Sequence, residues 1–515
     1  MRVCLINPPR LMKPMSAAMK PAPSIGLAFI AGTLKNDGHQ VQIIDSLAEG
    51  AECYYHYKDG ILSNGLSIED IAEAVHPQTQ IIGLSLMFSG NWIHNRDLID
   101  YLGERFPLVT IIAGGEHLTS CPEFCIRQTK SLDVCVLGEG EETISLLLKA
   151  LQNQEPLETV EGIVFRTNIN ETQRTAPRKR MRELESIPRP AWEFFPLNKY
   201  RDNSIIFGID RGVISLPLLA TRGCPYTCTF CSSPQMWGTR YFMRTPQDVA
   251  DEIEEFQKKY DAQNFDFYDL TAIIRKEWII EFCKEVLNRN LNITWQIPAG
   301  TRSEAIDQEV SYYLYKAGCK NITYAPESGS PETLQIIKKK VNLDNMLKSI
   351  ANSSKEGMNI KINFIIGFPN ETHKNIWQSL GFLVKASRAG VDDMAPSIFS
   401  PYPGSQLFEE LKAQGIINMD DDSYFLEIIN VDTFFENKFY NTHINKYLLR
   451  IYLFLYLFVF YSTNYFFHPK RFVRTIKNLW NKKYESRGEM AVGELLKRRK
   501  IKVIHTSPPI AITAA

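Results

Sequence analysis

At 515 residues the chain exceeds what one ordinary core can enclose, so two or three domains are expected. Its 44% hydrophobic and 23% charged residues describe a globular protein, and ten cysteines without a signal peptide point to a reducing cytoplasm rather than a disulfide framework. Lys+Arg and Asp+Glu are both 58, which leaves no global field to attract nucleic acid.

From the start to residue 150, short apolar strands alternate with helical stretches. Strands are expected at 3–7, 40–45, 81–86, 109–114 and 133–137, with helices near 25–36, 92–105 and 141–151. Buried β-branched runs alternating with helices predict a doubly wound parallel sheet, which takes its ligand at the carboxyl ends of its strands. The residues there are small or turn-forming: Asn7-Pro8-Pro9, Ser85, Gly114-Gly115-Glu116-His117 and Gly138-Glu139-Gly140-Glu141. Glycines let a backbone approach a ligand closely, although plain turn chemistry explains any single one equally well.

Residues 151–213 read as a connector with a small hairpin around the polar stretch 168–171, followed by Arg178-Lys179-Arg180 and Arg182 as a solvated charge run. Residues 214–404 carry six strand–helix units, with strands at 216–221, 264–269, 293–299, 322–326, 361–366 and 394–399. Six such repeats predict a partial (β/α)6 barrel, whose chemistry belongs at the C-terminal ends of the strands. Tyr268 and Asp269, Arg302, Glu327 and Ser328, and Gly367 all fall there, behind strands two to five. Residues 405–515 form a helical region. Its segment 451–461 is apolar on every side but shorter than the roughly 20 residues that span a bilayer. Lys470, Arg471, Arg474, Lys477, Lys482, Lys483 and the basic stretch 497–500 follow it. An aromatic helix followed by cations is drawn to a bilayer surface, while a buried cap helix or a dimer contact accounts for it equally well.

The loop after the first barrel strand reads Thr221-Arg-Gly-Cys224-Pro-Tyr-Thr-Cys228-Thr-Phe230-Cys231. Three thiolates in one short loop can hold three irons of a [4Fe–4S] cluster and leave the fourth open. Zinc calls for paired knuckles and a fourth ligand, and no second Cys pair or nearby His supplies one to this loop. The C-x-x-x-C-x-x-C spacing, with Phe230 before the last Cys, resembles the signature of the radical S-adenosylmethionine (SAM) enzymes. The resemblance implies that the open iron binds the amino and carboxylate groups of SAM. One electron, from a flavodoxin- or ferredoxin-type donor, then yields methionine and a 5′-deoxyadenosyl radical, chemistry suited to anaerobic conditions. By the same resemblance Glu327 and Ser328 meet the ribose, Gly367 lies against adenine and Arg302 meets the carboxylate. A barrel-rim salt bridge is the plainer role for Arg302, and a helix cap for Asp269, which with Tyr268 is otherwise placed near substrate or cobalamin.

Asn7-Pro-Pro, Pro23-Ser-Ile-Gly26, Gly38-His39 through Asp45, Gly114-Gly-Glu-His117 and Gly138-Glu-Gly-Glu141 together resemble the cobalamin-binding domain carried by many radical SAM enzymes. Ser85, Gly114, Gly115, Gly138 and Glu139 are the cofactor-binding candidates this implies. The D-x-H-x-x-G motif, whose His coordinates cobalt in other cobalamin proteins, is absent, and Asp37-Gly-His39-Gln-Val-Gln42 lacks its last glycine. Cobalamin is therefore expected without a protein histidine on cobalt; His117 is the one His in a suitable loop. The combined architecture resembles the cobalamin-dependent radical SAM methyltransferases and the anaerobic magnesium-protoporphyrin ester cyclase. The expected activity is C-methylation of a hydrophobic or natural-product substrate, small or lipid-like. A cyclase or oxidase using the same cofactors is the alternative. A tRNA methylthiotransferase would need a second cluster, for which Cys4, Cys53, Cys121, Cys125 and Cys135 are candidates, and an RNA-binding β-domain that a helical tail does not offer.

Overall fold

Buried aliphatic runs build the first layer. The computed structural model describes residues 1–13, 21–168, 171–429, 438–497 and 503–504. Its opening elements are strand β1 (Arg2–Asn7), helix α1 (Ile25–Asn36), β2 (Gln40–Asp45), β3 (Ile81–Ser85) and β4 (Thr110–Gly114). Two short helices follow, α2 (Glu116–Ser120) and α3 (Pro122–Gln128), then β5 (Val134–Val136) and α4 (Glu141–Asn153). The predicted hairpin is β6 (Ile163–Asn168) and β7 (Glu171–Arg174). The sheet order is β7-β6-β5-β4-β3-β1-β2, parallel from β2 to β5. The hairpin adds on antiparallel beside β5, so it extends this sheet rather than standing apart as a connector. Strands β2 and β3 lie on opposite sides of β1, which puts a topological switch point between β1 and β3. A small second sheet, absent from the sequence reading, joins Arg10–Met12, Tyr54–His56, Leu62–Asn64 and Val503–Ile504.

The second layer comprises β8 (Ser215–Leu218), β9 (Asn264–Phe267), β10 (Thr294–Thr301), β11 (Cys319–Glu327), β12 (Asn359–Ile366) and β13 (Asp393–Ile398). They pair in sequence order and all parallel, with β8 and β13 left as the two edges, so the barrel is partial. Between β12 and β13 runs helix α5 (His373–Ala389), opened by a capping box of Thr372 and Asn375.

The tail contains α6 (Asp422–Glu427), α7 (Lys446–Phe467) and α8 (Pro469–Asn481). Although the segment 451–461 within α7 is apolar on every side, only one stripe of the helix is covered. Leu449, Leu453, Tyr456, Phe460 and Asn464 are buried, at the i, i+4, i+7 spacing of one helix face. The Tyr456 hydroxyl donates to the Ile376 carbonyl at 2.8 Å and the Asn464 amide to that of Val391, which seats α7 against the barrel. Tyr447, Ile451, Phe454 and Phe458 remain exposed. Arg471 donates to the Gly390 and Val391 carbonyls and Arg474 pairs with Asp392 at 2.7 Å, so two of the predicted surface cations anchor α8 to the barrel. Residues 498–500 of the final basic stretch lie outside the described residues. No helix among the described residues is long and apolar enough to cross a membrane.

Candidate active site

The chain leaving β8 is gripped before it reaches the cysteines. The Ala220 amide donates to Asp269 Oδ2 at 3.3 Å and the Thr221 hydroxyl donates to Oδ1. Asp269 is fully buried, and burial raises its carboxyl to about 6. Thr221–Arg222 pair antiparallel with Phe242–Met243, and Gly223 turns at φ +93°, where a Cβ would stand 2.2 Å from the Arg240 carbonyl oxygen. Cys224, Cys228 and Cys231 follow as free, half-buried thiols. The Thr229 amide donates to the Ile337 carbonyl at 3.0 Å, and the Leu407 amide donates to that of Thr229 at 2.9 Å, which clamps the loop from its far side. Burial pushes the Cys228 thiol up while Lys339 pulls against it, and burial raises Cys231 to about 11. Three thiols on one clamped loop are the donor set of a cluster with one open iron.

Around this loop stand the charges a zwitterion needs. Arg302, following β10, lays its guanidinium 3.9 Å from the centre of the Tyr226 ring inside the cysteine loop and pairs with Glu304 at 3.1 Å. Its Nε is buried without a hydrogen-bond partner, an orphan that a carboxylate would satisfy. Glu327 ends β11 at φ +67° and receives Lys339 Nζ at 3.1 Å. Lys339 also stands 6.0 Å from the Phe230 ring, which packs on Phe368 at 5.8 Å. Sequence reasoning missed Lys339 because Lys338-Lys339-Lys340 has the look of a solvated run. Ser328 is fully buried, its hydroxyl bonded to Ser379 of α5 at 2.9 Å and accepting from the Ser330 amide at 3.1 Å. Gly367 takes φ +84°, and its amide donates to Glu371 Oε2 at 2.6 Å. The other Glu371 oxygen is buried without a partner, and burial raises the carboxyl to about 7. Arg302, Glu327, Phe230 and Lys339 thus gather at the cysteines, while Ser328 and Gly367 face α5 and Glu371. Tyr268 sets its ring edge-on to Phe207 at 5.3 Å.

At the first sheet, Ser85 ends β3 in register with Gly114 of β4. Gly115 takes φ +118°, and a Cβ there would stand 2.6 Å from the Leu86 carbonyl oxygen. Met87 and Phe88, 41% and 73% exposed, follow Ser85 at the switch point and were missed. Two apolar side chains held out at a strand's carboxyl end were the available signal. An apolar rim above closely approached backbone fits a large flat corrin. The Gly138 amide donates to Thr119 Oγ1 at 3.0 Å. Glu139 pairs with Arg180 at 3.3 Å and Arg222 at 3.4 Å, and Glu141 takes Arg222 at 2.5 Å, all three of Glu139, Glu141 and Arg222 being buried or nearly so. Arg222 lies two residues before Cys224 and also covers Phe29 of α1 at 5.0 Å. The Gly-Glu-Gly-Glu loop is therefore a clasp between the two sheets. His117 is only 1% exposed, its Nδ1 2.9 Å from Ser89 Oγ and its ring between Trp92 and Phe425.

The model of the Radical SAM superfamily matches residues 218–383 and that of the B12 binding domain matches 16–148. The chain is 28% identical to the cytidylyl-2-hydroxyethylphosphonate methyltransferase of Streptomyces wedmorensis, over 79% of this chain and 82% of that protein. It is 26% identical to the anaerobic magnesium-protoporphyrin IX monomethyl ester cyclase of Rubrivivax gelatinosus, over 76% of this chain and 66% of that one. The structure of the radical SAM methyltransferase TsrM from Kitasatospora setae superposes with a TM-score of 0.61 at 16% identity, covering 80% of this chain and 76% of that one, which shows a shared fold.

Proposed function

Because the chain is a radical SAM enzyme that carries a B12-binding domain, with a [4Fe–4S] cluster, SAM and cobalamin as its cofactors, we propose that it is a C-methyltransferase acting on a small, largely apolar substrate. The observation that carries the reading is the Arg222 clasp. One side chain joins the loop of the cluster cysteines to Glu139 and Glu141 at the carboxyl end of the first sheet, which supports a reading in which the two cofactors serve one reaction. When bound, the cluster with SAM supplies a 5′-deoxyadenosyl radical that takes hydrogen from an unactivated carbon, and cobalamin supplies a transferable methyl group. The chain's own part is placement. Asp269 fixes the entry to the cysteine loop through Thr221, Arg302 offers its orphaned Nε to a carboxylate, and Glu327 with Lys339 sets the charge beside Cys228. The relative named as a methyltransferase supports this choice, and the one named as a cyclase supports the second reading, ring closure with the same cofactors. Anaerobic turnover separates them. Methylation should release 5′-deoxyadenosine and S-adenosylhomocysteine in equal amounts, whereas 5′-deoxyadenosine without S-adenosylhomocysteine would leave the cyclase. Replacing all three of Cys224, Cys228 and Cys231 by Ala should abolish both products.

The tail supports a place of work at a lipid surface. Phe472, Val473, Ile476 and Trp480 of α8 are exposed at the spacing of one helix face, and Lys470, Lys477, Lys482 and Lys483 of the same segment are exposed as well. An apolar face rimmed by cations is complementary to an anionic membrane, from which an apolar substrate could be taken laterally.

A further inference from the structure

One group of metal-ligating side chains belongs to neither cofactor bed. His117, Cys121 and Cys125 bring one donor atom each to within 4.8 Å of one another. They sit four residues apart along α2 and α3, but the chain between those helices is not helical. Cys121 takes φ −148° and ψ 55°, and Pro122 starts the next helix, so the break turns Cys121 and Cys125 toward the same imidazole edge. Cys125 Sγ lies 3.5 Å from His117 Nε2, Cys121 Sγ lies 3.9 Å from it, and the two sulfurs are 3.9 Å apart.

Those separations can be compared with a coordination polyhedron. Tetrahedral zinc, with Zn–S about 2.3 Å and Zn–N about 2.0 Å, sets sulfurs about 3.8 Å apart and sulfur–nitrogen edges at about 3.5 Å. The Cys125–Nε2 edge at 3.5 Å and the sulfur–sulfur edge at 3.9 Å fall near these lengths, while the Cys121–Nε2 edge, at 3.9 Å, is longer. Cys121 Sγ is also 3.7 Å from His117 Nδ1, so it needs a turn about χ1 to aim at Nε2. Cys121 keeps a small exposed fraction, unlike the fully buried Cys125. The remaining imidazole nitrogen is already engaged with Ser89 Oγ at 2.9 Å, the outer hydrogen bond by which a metal-binding histidine is held in one orientation. Trp92 at 5.1 Å and Phe425 of α6 at 5.9 Å flank the ring and keep water from it.

We propose that His117 Nε2, Cys121 and Cys125 form a zinc site, with its fourth position taken by water or an exogenous donor. Two thiolates and an imidazole are soft-to-borderline donors that suit zinc over magnesium, calcium or manganese. The site would pin α2 to α3 and so fix the loop after β4, which borders the cobalamin crevice. It stands independently of the methyl-transfer reading, since neither the cysteines of the barrel loop nor the switch point contributes a ligand.

Metal content and X-ray absorption test it on the full chain, anaerobically purified, cluster-reconstituted and dialysed against a chelator. The expected result is about one zinc per chain beyond the iron, with a zinc-edge spectrum fitted by two sulfurs and at least one nitrogen. That zinc should persist when Cys224, Cys228 and Cys231 are all changed to Ala and disappear in Cys121→Ser/Cys125→Ser. Absence of zinc, zinc bound by oxygen and nitrogen alone, or zinc lost with the barrel-loop cysteines and retained in the double Ser variant would each overturn the site. The spectrum of the unaltered protein decides the matter even if the double variant fails to fold.

Discussion

At the turn after β12, a single carboxyl makes stability depend on pH. Glu371 receives the Gly367 amide, and burial raises its carboxyl from 4.5 to about 7. Between those values the folded state holds more protons than the unfolded one. Stability is therefore fully present below pH 4.5, falls as pH rises through the window, and levels off above it. Glu371→Gln keeps an acceptor for the amide and removes the charge, so its melting temperature should vary less across this range. Its unfolding free energy at pH 8 should exceed the parent's by on the order of 3 kcal/mol at most; identical pH profiles for the two proteins would refute the assignment. His117 carries a second prediction at this scale. Its imidazole is enclosed by Ser89, two thiols, Trp92 and Phe425, so paramagnetic resonance of the reduced cobalamin complex should show no nitrogen splitting from a protein ligand. A splitting that vanished in His117→Gln would contradict this.

Among the elements, the connection between the cysteine loop and the crevice is the most exacting. Burial alone would raise the Glu141 carboxyl, but Arg222 outweighs it and holds the carboxyl below its ordinary range, so this pair's stabilisation is present near neutrality and lost as pH falls. Arg222→Leu would leave Glu141 charged and enclosed, which costs about 3–5 kcal/mol, whereas Arg222→Leu/Glu141→Leu should recover most of that loss. Equal melting temperatures for the single and double variants would mean that the pair is not coupled. The parallel strands of the two large sheets and both motifs were legible in the sequence because they are local: alternating apolar runs, a cysteine spacing, glycines at strand ends. The short strands of the small second sheet were not. The partners of Glu139, Ser328 and Asp269 were not, because Arg222, Ser379 and Thr221 lie 83, 51 and 48 residues away. Apolarity likewise marked the helix near 451–461 but could not say which of its faces the barrel would cover. The spacing of His117, Cys121 and Cys125 was in plain view, yet it gains meaning only from the helix break at Cys121.

At the scale of the whole molecule, Arg222 ties the barrel to the first sheet while the tail lies along the barrel and turns an apolar face outward. The two faces of α7 make opposite predictions. Leu453→Ala opens a cavity against the barrel and should cost about 2–5 kcal/mol, whereas Phe458→Ser, at a position 70% exposed, should change stability by about 0.5 kcal/mol or less. If a lipid surface covers that outward face, the exposed residues matter for binding instead. Each lysine near an anionic surface contributes about 1 kcal/mol, and this attraction is screened within about 10 Å at 0.1 M salt. Binding to vesicles rich in anionic lipid should therefore be strong at low salt and fall steeply as salt rises. Lys477→Gln/Lys482→Gln/Lys483→Gln should weaken it, as should Trp480→Ser, which removes the most exposed aromatic of α8 at 86%. Arg471 and Arg474 are a different case: they are tied to the barrel through Asp392, so their loss should destabilise the fold rather than reduce lipid affinity selectively. Flotation at low salt reads all of these at once. Protein that stays at the bottom of the gradient would leave the outward face to a second copy of the chain or another protein.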